Sequence, residues 1–181
     1  KSTSGEWIYP EDIFFDKDQN AFNHSDKEPV IVGRSESMSK SKKNVIDPNS
    51  IIDEYGADTA RWFMLSDSPP ERDLEWTDNG VKGAWKFINK LWIIVNSNLK
   101  LFNNVKINQP DELNELSLNL CRNTSKAIKD VTLAYDTFRF NLAVANLYSL
   151  VNNFPDVNNK EICLWSRLYA IESIIILASP M

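Results

Sequence analysis

Between Thr77 and Asn98 apolar residues return every three or four positions: Val81, Ala84, Trp85, Ile88, Leu91, Trp92 and Val95, with Leu99 continuing the series. A half-buried strand needs strict alternation, so this run can only satisfy its apolar side as an amphipathic helix that packs against others. Three further segments repeat the pattern. The first carries Leu113, Leu116, Leu120, Thr124, Ala127, Ile128 and Val131 on one side, with Arg122, Lys126 and Lys129 elsewhere. The second, 136–153, carries Phe138, Phe140, Leu142, Val144, Leu147, Leu150 and Val151 and is stopped by Pro155. The third, 159–179, carries Ile162, Trp165, Leu168, Tyr169, Ile175 and Ile176. A linker over 105–111, containing Pro110, separates the first two helices. Four long helices with short links predict an up-and-down bundle and a mainly α chain.

Upstream the signals change. Residues 1–33 mix short apolar runs, Trp7-Ile8-Tyr9 and Ile13-Phe14-Phe15, with a polar stretch from Asp16 to Glu28, and Val30 to Gly33 reads as a brief strand. Asp47-Pro48 starts a short helix, with the acid as N-cap and proline at the first helical position, and Gly56 ends it. A second short helix comes next with Asp58 as its N-cap and Ala60, Phe63 and Met64 on one face, before Pro69-Pro70.

The chain's 20 basic and 25 acidic residues leave a formal net charge of -5, which excludes a protein that coats nucleic acid with a basic surface. Any such contact has to be local. One local candidate is the row Lys82, Lys86, Lys90, spaced i, i+4, i+8, which reads either as a solvated helix face or as a contact to an RNA backbone. Cys121 and Cys163 stand 42 positions apart in helical surroundings and read as small buried hydrophobes in a reducing compartment rather than a disulfide or metal pair. His24, the single histidine, lies among polar neighbours and reads as a loop residue, so no metal site is assembled. There is no apolar leader, and the most apolar stretch, 171–181, is too short to cross a bilayer that needs ~20 residues, so a cytoplasmic location is expected. The chain opens on Lys1 and stops at Met181 directly out of an apolar helix, which reads as part of a longer polypeptide.

The most distinctive stretch is Ser37-Met38-Ser39-Lys40-Ser41-Lys42-Lys43-Asn44. From Arg34 to Lys43 four cations (Arg34, Lys40, Lys42, Lys43) face one anion (Glu36) in an otherwise acidic chain. Lys40 is a mobile point charge with three donors, and Ser39 and Ser41 are small enough for backbone amides to approach an oxyanion. On composition alone this is either a solvated Ser/Lys loop or a phosphate site.

The order of the residues resembles the second signature loop, Lys-Met-Ser-Lys-Ser, of class I aminoacyl-tRNA synthetases. Met38-Ser39-Lys40-Ser41 supplies its last four positions, and Ser37 stands where the family has lysine. The continuation Lys42-Lys43-Asn44-Val45-Ile46-Asp47-Pro48 is similar to the leucyl form in bacteria, whereas isoleucyl and valyl enzymes usually place Leu-Gly after the second serine. Residues 51–61 and 66–76 carry the leucyl resemblance onward.

The resemblance implies several things. Residues 1–75 would be the C-terminal part of a Rossmann-type catalytic domain with a leucyl-specific region, and 76–181 an incomplete helical bundle of the anticodon-binding type. The activity would be ATP-dependent formation of leucyl-adenylate and transfer of leucine to tRNA(Leu). Met38, Ser39, Lys40, Ser41 and Lys42 would bind ATP, Lys40 would be the catalytic residue, and Mg²⁺ would have its ligands elsewhere. The family's other signature, His-Ile-Gly-His or a variant, is absent from the sequence, as are the leucine pocket and the editing domain, so the chain alone is expected to be inactive. The turn between Pro69 and Trp76 reads either as a connector or, through Arg72 and Trp76, as a contact to the inner corner of tRNA. Two other readings remain open: a sister isoleucyl or valyl enzyme, and a non-catalytic tRNA-binding module keeping a relic loop.

Overall fold

The computed structural model describes residues 1–103 and 106–181, so the linker expected over 105–111 begins at a position outside the described residues. The chain is mainly helical and divides into two compact units, 1–50 and 51–181.

The first unit holds a single two-stranded antiparallel sheet, β1 (Ile13–Phe15) and β2 (Ala21–Asn23), in which Phe14 faces Phe22. Asp16 builds the connection: its carboxylate accepts from the amides of Asp18 and Asn20 at 2.9 and 2.8 Å, an Asx turn that reverses the chain. The strand expected at 30–33 does not form. Pro29 makes one isolated bridge to Phe22, and Val30 N–H donates to Ala21 at 2.8 Å. Ile31 then exchanges backbone hydrogen bonds with Lys1, and Ile31 and Val32 are exposed, with no second strand among the described residues to pair along them.

Helix α1 (Pro48–Tyr55) starts as its sequence dictates: the Asp47 carboxylate accepts the Asn49 amide at 3.0 Å and Pro48 occupies the first helical position. Gly56 ends it at φ +87°, a conformation an L side chain rarely adopts. Helix α2 (Ala57–Ser66) begins two residues earlier than expected. Its N-cap is Gly56, so Asp58 lies inside the first turn, where its charge suits the helix dipole and meets the exposed Arg61 guanidinium at 3.6 Å.

Four longer helices complete the second unit: α3 (Asp78–Phe102), α4 (Glu115–Asp136), α5 (Phe140–Asn152) and α6 (Leu164–Ala178). Thr77 caps α3 by accepting the Gly80 amide at 3.1 Å, and Asn114 caps α4 by accepting from Ser117 at 2.9 Å. Helix α5 starts later than the expected 136, because Thr137 to Arg139 turn the chain with Phe138 at φ +55°. Helix α6 starts at Leu164 rather than near 159, where Asp156 and Asn159 instead accept the amides of Asn158 and Glu161 in successive Asx turns.

The core gathers Trp62 and Phe63 of α2, Val81, Ala84 and Phe87 of α3, Val131 of α4, Leu147 and Val151 of α5, and Ile174 of α6. Trp62, Phe87 and Tyr148 stack across α2, α3 and α5 with centroids 4.6 and 4.0 Å apart along the series. Trp85, Trp92 and Leu99, expected in the packed stripe of α3, are exposed, Trp92 by 69%. The apolar stripe of α3 is wider than the side its neighbours cover, so its flank falls outside while Phe87 and Asn98 are buried.

Candidate functional site

The signature stretch is a braced loop rather than a loose one. Lys40–Lys42 form a single 3-10 turn, in which Lys42 N–H reaches Ser39 O at 3.0 Å. Lys43 then reverses the chain in the left-handed region at φ +52°, its N–H donating to Lys40 O at 3.2 Å. Asn44 closes the loop from behind: its side-chain oxygen accepts Ser39 N–H at 2.8 Å and its amide nitrogen donates to Ser37 O at 3.4 Å. The hydroxyls of Ser39 and Ser41 lie 2.7 Å apart and share one hydrogen bond.

The three lysines have different surroundings. Lys42 forms an ion pair with Glu36, the one anion of the stretch, and the Lys42 ammonium, aided by the charges of Arg34 and Lys1, holds the Glu36 carboxyl below its ordinary value. Lys43 places its ammonium 5.1 Å over the ring of Tyr9, a cation–π contact. The Lys40 side chain is exposed and, among the described residues, its ammonium has no hydrogen-bond or ion-pair partner. Met38 is half exposed beside it, with Ser37 also at the surface.

Of the five expected site residues, Ser39 to Lys42 form one small cationic turn with its cap, and Met38 stands directly before it. Residue types alone did not reveal Asn44 as the brace, Glu36 as the counter-ion of Lys42, or Tyr9 under Lys43. Only the isolated Glu36 among four cations carried a signal of pairing. The turn suits the phosphates of a nucleotide by charge and by its two small hydroxyl residues. Among the described residues no three His, Cys, Asp or Glu side chains converge to hold a metal.

In the helical unit, Lys82 and Lys86 project into solvent, while Lys90 donates to Asn152 of α5 at 2.8 Å. A polar cleft of about 130 Å³ between α4 and α5 is lined by Asn123, Lys126, Asp130, Asn146, Ser149 and Asn153. Trp76 packs edge-on against Phe63, with centroids 5.2 Å apart, so it serves the core, whereas Arg72 is exposed. His24 lies 4.9 Å from the ring of Phe14 on the hairpin. Among the described residues no helix is long and apolar enough to cross a membrane.

Residues 30–77, which contain the braced turn and helices α1 and α2, match the family of class I tRNA synthetases (I, L, M and V). The braced turn and the two short helices after it therefore belong to the class I tRNA synthetase family. Across its full length the chain is 43% identical to the leucine--tRNA ligase of Rhodospirillum rubrum, covering 21% of that protein, and over 84% of its length it is 47% identical to that of Maricaulis maris, covering 17%. Within its class the chain belongs with the leucine--tRNA ligases. It spans about a fifth of the length of these relatives. Its fold is shared with a LeuRS of Agrobacterium radiobacter, solved as a ternary complex with tRNA and LeuAMS, at a TM-score of 0.68 and 24% identity over 79% of this chain and 19% of that one.

Proposed function

We propose that the turn at Lys40 serves leucine activation in the polypeptide that carries this chain: leucine and ATP give leucyl-adenylate and pyrophosphate, and leucine then passes to tRNA(Leu). The observation that carries the residue assignment is the contrast among the three lysines. Lys42 is neutralised by Glu36 and Lys43 is drawn to Tyr9, which leaves Lys40 as the cation able to travel to a substrate.

When the leucine carboxylate attacks the α-phosphate in line, negative charge builds on the departing pyrophosphate. An ammonium that meets that charge chiefly in the transition state lowers the barrier without tightening ground-state binding. Lys40 suits this task because its stem is flexible and it is held by no partner. Ser39 and Ser41 offer their hydroxyls to the phosphate oxygens, Met38 borders the nucleotide, and Lys42 contributes a charge damped by Glu36. No step is assigned to Mg²⁺, since among the described residues no three His, Cys, Asp or Glu side chains converge.

In this reading residues 1–75 continue a catalytic domain and 76–181 hold tRNA. The 181 residues alone, which lack a His-Ile-Gly-His signature, do not aminoacylate. The test is leucine-dependent ATP–pyrophosphate exchange by the complete polypeptide and its Lys40→Ala variant. The expected loss in kcat is about 10²- to 10³-fold, the size found when one preorganised charge donor is removed, with KM for ATP nearly unchanged. An undiminished kcat in the variant removes Lys40 from the transition state. Exchange that prefers isoleucine or valine to leucine overturns the substrate.

A further inference from the structure

The two cysteines, 42 positions apart in sequence, meet in the fold. Cys121 lies in the second turn of α4 and Cys163 is the N-cap of α6. The Cys121 thiol is 3.3 Å from the Ser166 hydroxyl oxygen, and the Cys163 sulfur is 3.1 Å from that same oxygen. The sulfurs therefore cannot be further apart than the sum of those two distances. Ser166 is fully buried, so its hydroxyl is a fixed point between them. Both cysteines are partly exposed, which leaves them open to a small reagent.

The backbones that carry the two thiols are fastened to each other as well. Cys163 N–H donates to the hydroxyl of Ser117, in the first turn of α4, at 2.9 Å. The Asn114 side chain, which caps α4, donates to Glu161 O at 2.6 Å. The α4–α6 contact is thus held on the side of both sulfurs, and bonding them asks for side-chain rotation about the Ser166 oxygen. A metal does not explain the pair, because among the described residues no third ligand joins it. Paired thiols in a reducing compartment, where they occur, are typically transient and redox-sensing.

We propose that Cys121 and Cys163 form a reversible redox pair in which a peroxide drives closure of an intramolecular disulfide joining α4 to α6. The Cys163 sulfur attacks one peroxide oxygen, the O–O bond breaks, and the departing oxygen takes the thiol proton and leaves as water. Cys163 now carries a sulfenic acid. The Cys121 sulfur attacks it, the S–O bond breaks, and the hydroxyl leaves with the Cys121 proton as a second water. Two thiols lose two electrons and two protons while one peroxide becomes two waters. Cys163 acts first because it sits at a helix N-terminus, where the thiolate is favoured. Burial is the largest single influence and opposes its ionisation, but hydrogen bonds from the hydroxyl and amide of Ser166, the hydroxyl of Ser117 and the amide of Trp165 together hold the Cys163 thiol below its ordinary value.

The test treats the whole polypeptide with hydrogen peroxide, blocks remaining thiols, and maps unreduced tryptic peptides by mass spectrometry. Cleavage after Lys106, Arg122, Lys160 and Arg167 places Cys121 in 107–122 and Cys163 in 161–167. The expected product is these two peptides joined, lighter by two hydrogens than their sum and separated again by dithiothreitol. In a mixture of isotopically heavy and light protein the joined pair is all heavy or all light. Peptides that remain separately blocked or separately over-oxidised overturn the proposal, and so does a mixed heavy–light pair. In Cys121→Ser the sulfenic acid at Cys163 accumulates and is captured by dimedone. No capture at Cys163 in that variant overturns the order of attack, and the wild-type map decides the pairing whether or not that variant folds.

Discussion

Arg167 is the residue on which the far end of the helical unit turns. It is 1% exposed, and its guanidinium donates to Asn98 of α3 at 3.1 Å and to the carbonyls of Asp156 and Asn159 at 2.7 Å each. Burial pushes its pKa down and the Asp156 charge opposes that, yet a guanidinium keeps its proton in a protein. A methionine in its place fills similar volume but leaves those three acceptors unpaired. A hydrophobic swap is often harmless where both members of a buried pair are replaced; here two acceptors are backbone and cannot be. Arg167→Met is expected to cost about 3 kcal/mol in urea unfolding, and Arg167→Lys less, since it keeps the charge and loses the planar fork. A loss under about 1 kcal/mol for the methionine variant contradicts this account. Nothing in the sequence announced the node, because Asn98 and Arg167 are 69 positions apart and an arginine in a helix reads as surface. The cysteine pair escaped for the same reason: separation along the chain is all that a single sequence displays. Lys40 could be singled out as a candidate because the turn around it is built from adjacent residues.

Among the elements, α3 shows most directly what local chemistry dictates and what packing then overrules. Its period was legible in Val81, Ala84, Ile88 and Leu91, because that is a property of neighbouring residues. Which part of its wide apolar stripe is covered depends on α2 and α6, and no local pattern encodes that. Gly80 shows the same contest. An exposed helical glycine replaced by alanine gains up to about 1 kcal/mol from helix propensity. A Cβ at Gly80, however, would stand 2.5 Å from Phe63 Cε2 and 2.8 Å from Thr77 Oγ1, one a core ring of α2 and the other the cap itself. Overpacking of this kind typically costs about 1–3 kcal/mol, so Gly80→Ala is expected to destabilise on balance. Gly83, with open space around its Cβ position, is the control, and Gly83→Ala is expected to stabilise by about 0.5–1 kcal/mol. Thermal unfolding of the two variants side by side checks the pair, and equal shifts would mean that Phe63 does not press on Gly80. The early strand at 30–33 failed for the complementary reason: Val30 to Val32 have strand-forming side chains, but a strand needs a partner, and the one beside it was a hairpin edge offering a single bridge to Pro29.

For the whole molecule, the balance of charge decides how an RNA could be held. A chain of net charge -5 repels a polyanion at long range, so affinity for tRNA has to rest on a few cations whose neighbours do not cancel them. The row on α3 meets that condition unevenly. Lys82 and Lys86 are exposed, and among the described residues neither has an ion-pair partner, while Lys90 is engaged by the neutral amide of Asn152 and keeps its charge. Each lysine that neutralises a phosphate releases condensed counter-ions and steepens the fall of log K with log salt by about 0.7–0.9. If the helical unit grips tRNA through this row, Lys82→Gln, Lys86→Gln and Lys90→Gln together reduce the slope by about 2–3 in the complete polypeptide. The loss falls equally on tRNAs of different sequence, because phosphate contacts position without reading bases. ATP–pyrophosphate exchange, which needs no tRNA, is expected to remain at the wild-type rate. A triple variant with an unchanged salt slope leaves the row as a solvated face, and the tRNA contact then has to be sought elsewhere, starting with Lys126 beside the asparagine-lined cleft between α4 and α5.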